Sequence, residues 1–501
     1  MYDSTRGNLQ NQSAAQAIAW GMVPGGGLFV PNTIPNIPWQ QVEGLGYSEL
    51  AVKIMSPYLS GFTEEVIKRA GAIYSPEVFN GVNPAPLVDM GEFGVLELWH
   101  GPTAAFKDMA LQVLPYLLGA SLKNLENNSE VLILVATSGD TGKAALEGFK
   151  NVTGMNIIVF YPDGGVSTVQ ERQMTTTDGN NTHVVAVKGN FDDCQTAVKE
   201  IFASDLLKEQ LAKQQMIFSS ANSINWGRLL PQIVYYYWTY LQAVQQEKIK
   251  PGANLNIVVP TGNFGNLLAA YYAQKMGLPI NRLICASNKN NVLTDFFKKG
   301  VYQSNRPFYL TMAPSMDILI SSNFERFLYE MSGRDSNKIK SWYQDLNQSG
   351  SFQVDEKTLE RSQAKIYAGW ADEDQVLDTI YRGYHQFGYV FDPHTAVAMK
   401  VYEDYVQATG DNTYSVIVST ASPFKFAASV LQAISEQANI PDEWEALESL
   451  SRKTGWEVPK GLKNLRTRSE NKVLKCHPQG IKEIIRQVLI YKAIPVDNIT
   501  L

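Results

Sequence analysis

The stretch that most constrains this chain is Val131–Phe149. The apolar run VLILVA (Val131–Ala136) passes into the small-residue loop TSGDT (Thr137–Thr141) and then into a helical segment, Gly142–Phe149. An apolar run without polar alternation is a strand buried on both faces, and strand, loop, helix is the order that builds a parallel sheet with a ligand crevice at the loop. The grammar repeats. Asn156–Tyr161 and His183–Val187 read as strands, Val169–Thr175 and Phe191–Ala203 as helices. Leu255–Val259 and Arg282–Ala286 are further strands, followed by helices Leu267–Met276 and Val292–Lys299. Such alternation predicts an α/β fold with parallel sheets.

At 501 residues the chain has room for about three domains, or for two lobes with extensions. Residues 1–90 form an N-terminal cap domain, with turn-rich YDSTRGN (Tyr2–Asn8) and GGGLFVP (Gly25–Pro31) and short helices at Tyr47–Leu59 and Glu64–Ala72. Pro84 and Pro86 make Asn80–Val88 a linker. Residues 91–432 form the core, with a smaller lobe at about 110–220, and residues 433–501 form a polar extension packed on the outside, with a last helix near Ile481–Ile490. Asn225–Val244 is a helix whose Tyr235, Tyr236, Tyr237, Trp238 and Tyr240 belong to the core or a lobe interface. Asp355–Tyr367 and Asp374–Phe387 read as helices, Asp392 and Pro393 cap His394–Val406, and Tyr414–Ser419 is a strand. Residues Ser304–Ser351 show no assignable pattern.

Composition excludes several classes of function. The net charge of −6 and the lack of a Lys/Arg run argue against nucleic acid. No apolar run is long enough to span a bilayer and the N-terminus has no signal-peptide pattern, which predicts a cytosolic protein. Cys194, Cys285 and Cys476 lack paired spacing, and the five histidines, His394 among them, do not cluster, so neither disulfides nor a metal site is expected.

Two stretches carry chemistry. In HGPTAAFKDMA (His100–Ala110), Lys107 follows Phe106 beside a Gly-Pro turn. Apolar surroundings disfavour an ammonium, and a lysine of lowered pKa is a nucleophile able to form a Schiff base with an aldehyde. In PTGNFGN (Pro260–Asn266), Gly262 and Gly265 let backbone wrap an anion at the start of a helix, where free N–H groups and the helix dipole favour phosphate. An aldehyde-binding lysine and a phosphate cradle, without metal ligands, together suggest pyridoxal phosphate.

These motifs, with ATSGDTGKAA, SANSINWGR, STASPFKF and the early YDSTRG, resemble the threonine synthase family over nearly the whole chain. The resemblance fades at about Ser304–Ser351 and beyond Ala433. It implies the two-lobed fold type II architecture of pyridoxal phosphate enzymes, with parallel sheets, an N-terminal cap domain and a C-terminal extension. Lys107 matches the Schiff-base lysine and proton shuttle; Gly262, Asn263, Phe264, Gly265 and Asn266 match the phosphate loop. Thr420 matches the hydroxyl facing the pyridine nitrogen, with ending its strand or capping the next helix as the lesser alternative. Ser138, Gly139, Asp140 and Thr141 match the loop holding the substrate carboxylate. Asp140 stands where many relatives have asparagine near the cofactor's ring oxygen, a position Asn222 or Asn225 could supply, and it could also be a helix cap.

The implied reaction converts O-phospho-L-homoserine and water to L-threonine and phosphate. For the leaving phosphate the candidates are Arg6, Ser4, Thr5, Thr103, Lys143 and Arg172, with Arg6 alternatively pinning the N-terminal segment. Elimination alone, releasing 2-oxobutyrate, and a non-catalytic binding protein of the same fold remain open. The chain is expected to be a monomer or homodimer, the monomer favoured, and with YDSTRG beginning at the second residue no regulatory N-terminal extension is expected.

Overall fold

The computed structural model describes residues 1–81, 83–435, 442–471 and 473–491. Parts of the linker and of the C-terminal extension anticipated above, residue 82 and residues 436–441, 472 and 492–501, lie outside that set.

The chain begins with β1 (Tyr2–Ser4), antiparallel to β2 (Phe29–Pro31). Helices Ala14–Trp20, Tyr47–Met55 and Glu64–Ala72 then pack with the long helix Trp226–Gln245 in one apolar core. The tyrosines of that long helix fasten the arrangement. Tyr47 meets Trp238 edge-on with ring centroids 5.6 Å apart, and Tyr237 donates a hydrogen bond to the Ile37 carbonyl at 2.7 Å. The aromatic run is therefore core, with Tyr235, Tyr236, Tyr237 and Tyr240 fully buried.

Two sheets define two lobes. β3 (Leu87–Asp89) and β4 (Phe93–Glu97) open the larger one, and the chain then crosses to the smaller lobe through β5 (Glu130–Ala136), β6 (Met155–Pro162), β7 (Thr182–Val187) and β8 (Met216–Ser219). It returns through β9 (Leu255–Pro260) and β10 (Ile280–Ser287), makes a small hairpin-like pair from β11 (Val301–Gln303) and β12 (Ser351–Gln353), and adds β13 (Ile366–Trp370) and β14 (Ser415–Ser419). The larger sheet has the order β13-β10-β9-β14-β4-β3, parallel except for β3. Its strands β4, β9 and β14 are buried at every residue, as strands covered on both faces must be.

The smaller sheet, in the order β15-β7-β6-β5-β8, is parallel throughout. Its edge strand β15 (Leu474–Cys476) comes from the C-terminal segment, which corrects the expectation that this segment merely coats the outside. Leu474 and Cys476 extend the sheet beside β7, and Ile481, Ile484 and Ile485 of the following helix are buried with them. Three residues with a lysine between them are too short to show a period, so the strand is invisible in the sequence. For a similar reason the helix anticipated to Tyr367 stops at Lys365, and Ile366–Trp370 becomes an edge strand paired with β10. The segment that showed no pattern holds two helices, Phe324–Met331 and Ser336–Ser349.

Candidate active site

In the larger sheet β14 lies between β9 and β4, all three parallel. Their carboxyl ends consequently stand side by side, and each leads directly into one of the singled-out motifs. β4 leads to the loop carrying Lys107, β9 to the Gly262–Asn266 loop and β14 to Thr420. The Phe106 N–H donates to the Thr420 carbonyl at 2.8 Å, tying the lysine loop to the end of β14. Across from them β5 delivers Ser138–Thr141 from the smaller lobe. This is the position in an open parallel sheet where ligands bind.

A cavity of about 1070 Å³ opens there. Its lining includes Lys107, Ser138, Asp140, Thr141, the whole Gly262–Asn266 loop and Thr420. Gly139 adopts φ +130°, a conformation that side chains rarely take, and it starts the helix Asp140–Phe149; Thr137 Oγ1 braces this turn by accepting from the Gly139 and Gly142 amides, each at 2.9 Å.

Lys107 Nζ is buried, 3.3 Å from Asp140 Oδ2 and 3.4 Å from Ser315 Oγ. Burial lowers its pKa; Asp140 opposes that effect, while Lys425 and Arg228 add to it. For Asp140 burial pushes toward the neutral acid, but Lys425, 2.7 Å away, and Lys107 outweigh it and hold the carboxyl well below its ordinary range. Ser315 Oγ donates to Asp140 Oδ2 at 3.2 Å, and the Ser315 amide donates to His394 Nε2. Because Nε2 accepts there, the imidazole proton sits on Nδ1 and points to Asp392 Oδ1, 2.8 Å away.

The loop Gly262–Asn266 is held from both sides. Phe264 takes φ +64° as the residue before helix Gly265–Lys275, Ser321 Oγ donates to the Gly262 carbonyl at 2.7 Å, and the Asn323 amide donates to the Asn263 carbonyl at 3.0 Å. The hydroxyls of Tyr235 and Tyr236 both donate to Asn266 Oδ1. That leaves Asn266 Nδ2 buried without a partner, a costly condition in a folded protein. An orphaned donor at a helix N-terminus, within a cavity that also holds a buried lysine, fits a phosphorylated aldehyde cofactor.

Several anticipated side chains go elsewhere. Arg6 makes a two-pronged pair with Glu325, at 3.0 and 2.8 Å, and lies over the Tyr343 ring; Thr5 donates to the same carboxylate. Ser4 Oγ accepts from the Arg6 amide, so YDSTRG acts as a pin, and the Thr5 backbone and hydroxyl hold Leu28 on the loop Gly25–Leu28 that lines the cavity. Thr103 lies outside the lining and holds buried Asp108 through its amide and hydroxyl, both at 2.8 Å. Lys143 pairs with Glu147, and Arg172 binds Glu470 and carbonyls of the C-terminal segment. Asn225 caps the long helix, while Asn222 does line the cavity.

Conversely, sequence reasoning passed over Ser315, His394, Lys425 and Arg228. Arg228 lines the cavity, donates one hydrogen bond to the Ala221 carbonyl, and has its pKa brought down to about 10 by burial. A signal existed for two of them: Lys425 stands between Phe424 and Phe426, and Arg228 follows Trp226-Gly227, apolar settings in which a cation needs a reason. Among the described residues there is no group of three or more metal-ligating side chains, and no helix is long and apolar enough to cross a membrane.

Comparison with known proteins accords with this geometry. The family model "Pyridoxal-phosphate dependent enzyme" matches residues 78–421, which makes the chain a pyridoxal phosphate-dependent enzyme of the two-lobed fold type II class. "Threonine synthase N terminus" matches residues 1–71 and "Threonine synthase, C-terminal" residues 395–471. The threonine synthase of Saccharomyces cerevisiae is 36% identical over 90% of this chain and 94% of its own length. The crystal structure of PLP-bound threonine synthase from Brucella melitensis superposes with a TM-score of 0.85 at 35% identity, covering 97% of this chain and 98% of that one. The chain belongs to the threonine synthase family. Threonine synthase-like 1 of Homo sapiens is 40% identical over 84% of the chain, which spans 58% of that relative's length.

Proposed function

We propose that the protein converts O-phospho-L-homoserine and water to L-threonine and phosphate, acting in the cytosol as a monomer or homodimer. The observation that carries this reading is a single cavity joining the buried Lys107–Asp140 pair, the Gly262–Asn266 cradle and Thr420 in a chain of this family.

Pyridoxal phosphate, bound through Lys107 with its phosphate in the cradle and Thr420 near its ring nitrogen, would supply an electron sink conjugated to the substrate's Cα. A neutral hydroxyl at that nitrogen leaves it largely unprotonated, whereas a carboxylate would hold a proton there. Lys107 would move protons at Cα and Cβ, and burial, which lowers its pKa, makes it readier to give up a proton than an exposed lysine. Asp140 and Ser315 keep its nitrogen aimed into the cavity. The helix start at Ser138–Thr141 receives the substrate carboxylate, and Arg228 faces the substrate's phosphate, the second dianion this site must take besides that of the cofactor.

The deciding assay supplies purified protein and pyridoxal phosphate with O-phosphohomoserine and measures threonine against 2-oxobutyrate. Threonine with stoichiometric phosphate is expected. A product that is mostly 2-oxobutyrate would make this an eliminating lyase. Absence of a visible cofactor band at about 410–430 nm would favour a binding protein.

A further inference from the structure

Asp140 sits between two ammonium groups. Lys425 Nζ lies 2.7 Å from its Oδ1, and Lys107 Nζ lies 3.3 Å from its Oδ2. All three side chains are buried, and Lys425 has no exposed side-chain surface. Lys425 also donates to the Thr103 carbonyl at 3.1 Å and stands outside the cavity lining, so its nitrogen is held in place and out of reach of the substrate. Lys107, by contrast, faces the cavity and must change partners during turnover. The shorter of the two ion pairs is thus the one that does not take part in the chemistry.

We propose that Lys425 is a positioning residue: its fixed ammonium keeps Asp140 ionised and aimed at Lys107 whether or not Lys107 carries a proton, and limits how tightly the Lys107 nitrogen holds that proton. A shuttle must both take and give. A buried carboxylate facing a single lysine would make a tight pair and trap the proton, whereas a second cation divides the carboxylate's pull and repels the first directly. The sense of the Lys107 shift agrees, with Asp140 raising its pKa and Lys425 lowering it. The other charged or titratable groups that face this cluster are Arg228 from the long helix, His394 behind Ser315, and Asp108 near Lys425. They are common to every variant below, so differences among variants report on the pair.

This inference rests on Lys107 as the cofactor's anchor. The test is a pH titration of the visible absorbance of the bound cofactor in the holoenzyme, a readout independent of turnover. Midpoints should rise in the order Asp140→Asn, the double variant Asp140→Asn/Lys425→Met, wild type, Lys425→Met. The last should lie about one pH unit or more above wild type, with Lys425→Arg staying close to wild type. Should Lys425→Met fail to fold, the double variant removes both members of the Lys425–Asp140 pair, so that neither is left buried without the other, and it still tests the idea, since its midpoint must exceed that of Asp140→Asn. A Lys425→Met midpoint equal to wild type, or a double variant equal to Asp140→Asn, overturns the proposal. Borohydride reduction followed by peptide mapping separates the two readings. Label on Lys107 with unmoved midpoints removes only the role of Lys425, while label elsewhere removes the anchor and this inference with it.

Discussion

At the scale of single residues, the site turns on which buried charges are paired. Lys107→Ala is expected to abolish turnover and the visible cofactor band while the cofactor is still retained through its phosphate, checked by comparing spectra with bound phosphate after gel filtration. Arg228→Gln should raise KM for the phosphorylated substrate about ten- to a hundred-fold, the worth of a charge-assisted hydrogen bond in steady-state kinetics. An unchanged KM would place the substrate phosphate elsewhere. Asp108 offers a test by pH. Burial lifts its carboxyl to about 6 from an ordinary 3.8, against the Thr103 hydrogen bonds that pull it down. The folded state therefore holds the proton more tightly than the unfolded chain, so this group favours folding most below about pH 4, and that contribution is lost as pH rises through 6. Denaturant melts should show wild type losing up to about 3 kcal/mol between pH 4 and 7 relative to Asp108→Asn.

Elements bring these residues together, and one close approach matters most. Helix Asp140–Phe149 starts at Asp140, and helix Asp108–Leu111 follows Lys107. Where they meet, a Cβ on Gly148 would lie 2.1 Å from the Leu111 carbonyl oxygen. Gly148→Ala must therefore push the two helices apart, at a cost of about 1–3 kcal/mol by the usual price of overpacking. A lower Tm with a kcat loss exceeding any change in KM is expected; an unchanged melt would show that the helices yield without strain. This contact also marks the limit of what the sequence revealed. The strands β5, β6, β7, β9, β10 and β14 and the Lys107 and Gly262–Asn266 motifs were legible because buried parallel strands read as apolar runs and anion loops need glycine and small polar residues. Ser315 and His394 were not, since a serine in an irregular segment and a histidine near a helix start acquire meaning only when the chain folds them toward Lys107. For Arg6 the sequence left a substrate contact and a pin for the N-terminal segment both open, since nothing local announces Glu325, some three hundred residues later, as the partner that makes it a pin.

For the whole molecule, the candidate cofactor site is assembled from three neighbouring strands of one lobe and a helix start of the other, so occupancy should be felt globally. Pyridoxal phosphate at about a hundred times its Kd is expected to stabilise the fold by about 2.7 kcal/mol, seen as a concentration-dependent rise in Tm. A Tm indifferent to the cofactor would deny that it binds the native state alone. The position of β14 between β4 and β9 reaches further, into how the protein is made. A ribosome releases β4 and its lysine loop early, yet the parallel neighbour of β4 is residues 415–419, and the edge of β7 waits for residues 474–476. The nascent chain must carry two unpaired strand edges through most of its synthesis. A site that needs β14 beside β4 is accordingly incomplete until residues 415–419 have emerged, and a chain stalled before residue 415 would hold Lys107 without the strand end to which the Phe106 amide bonds.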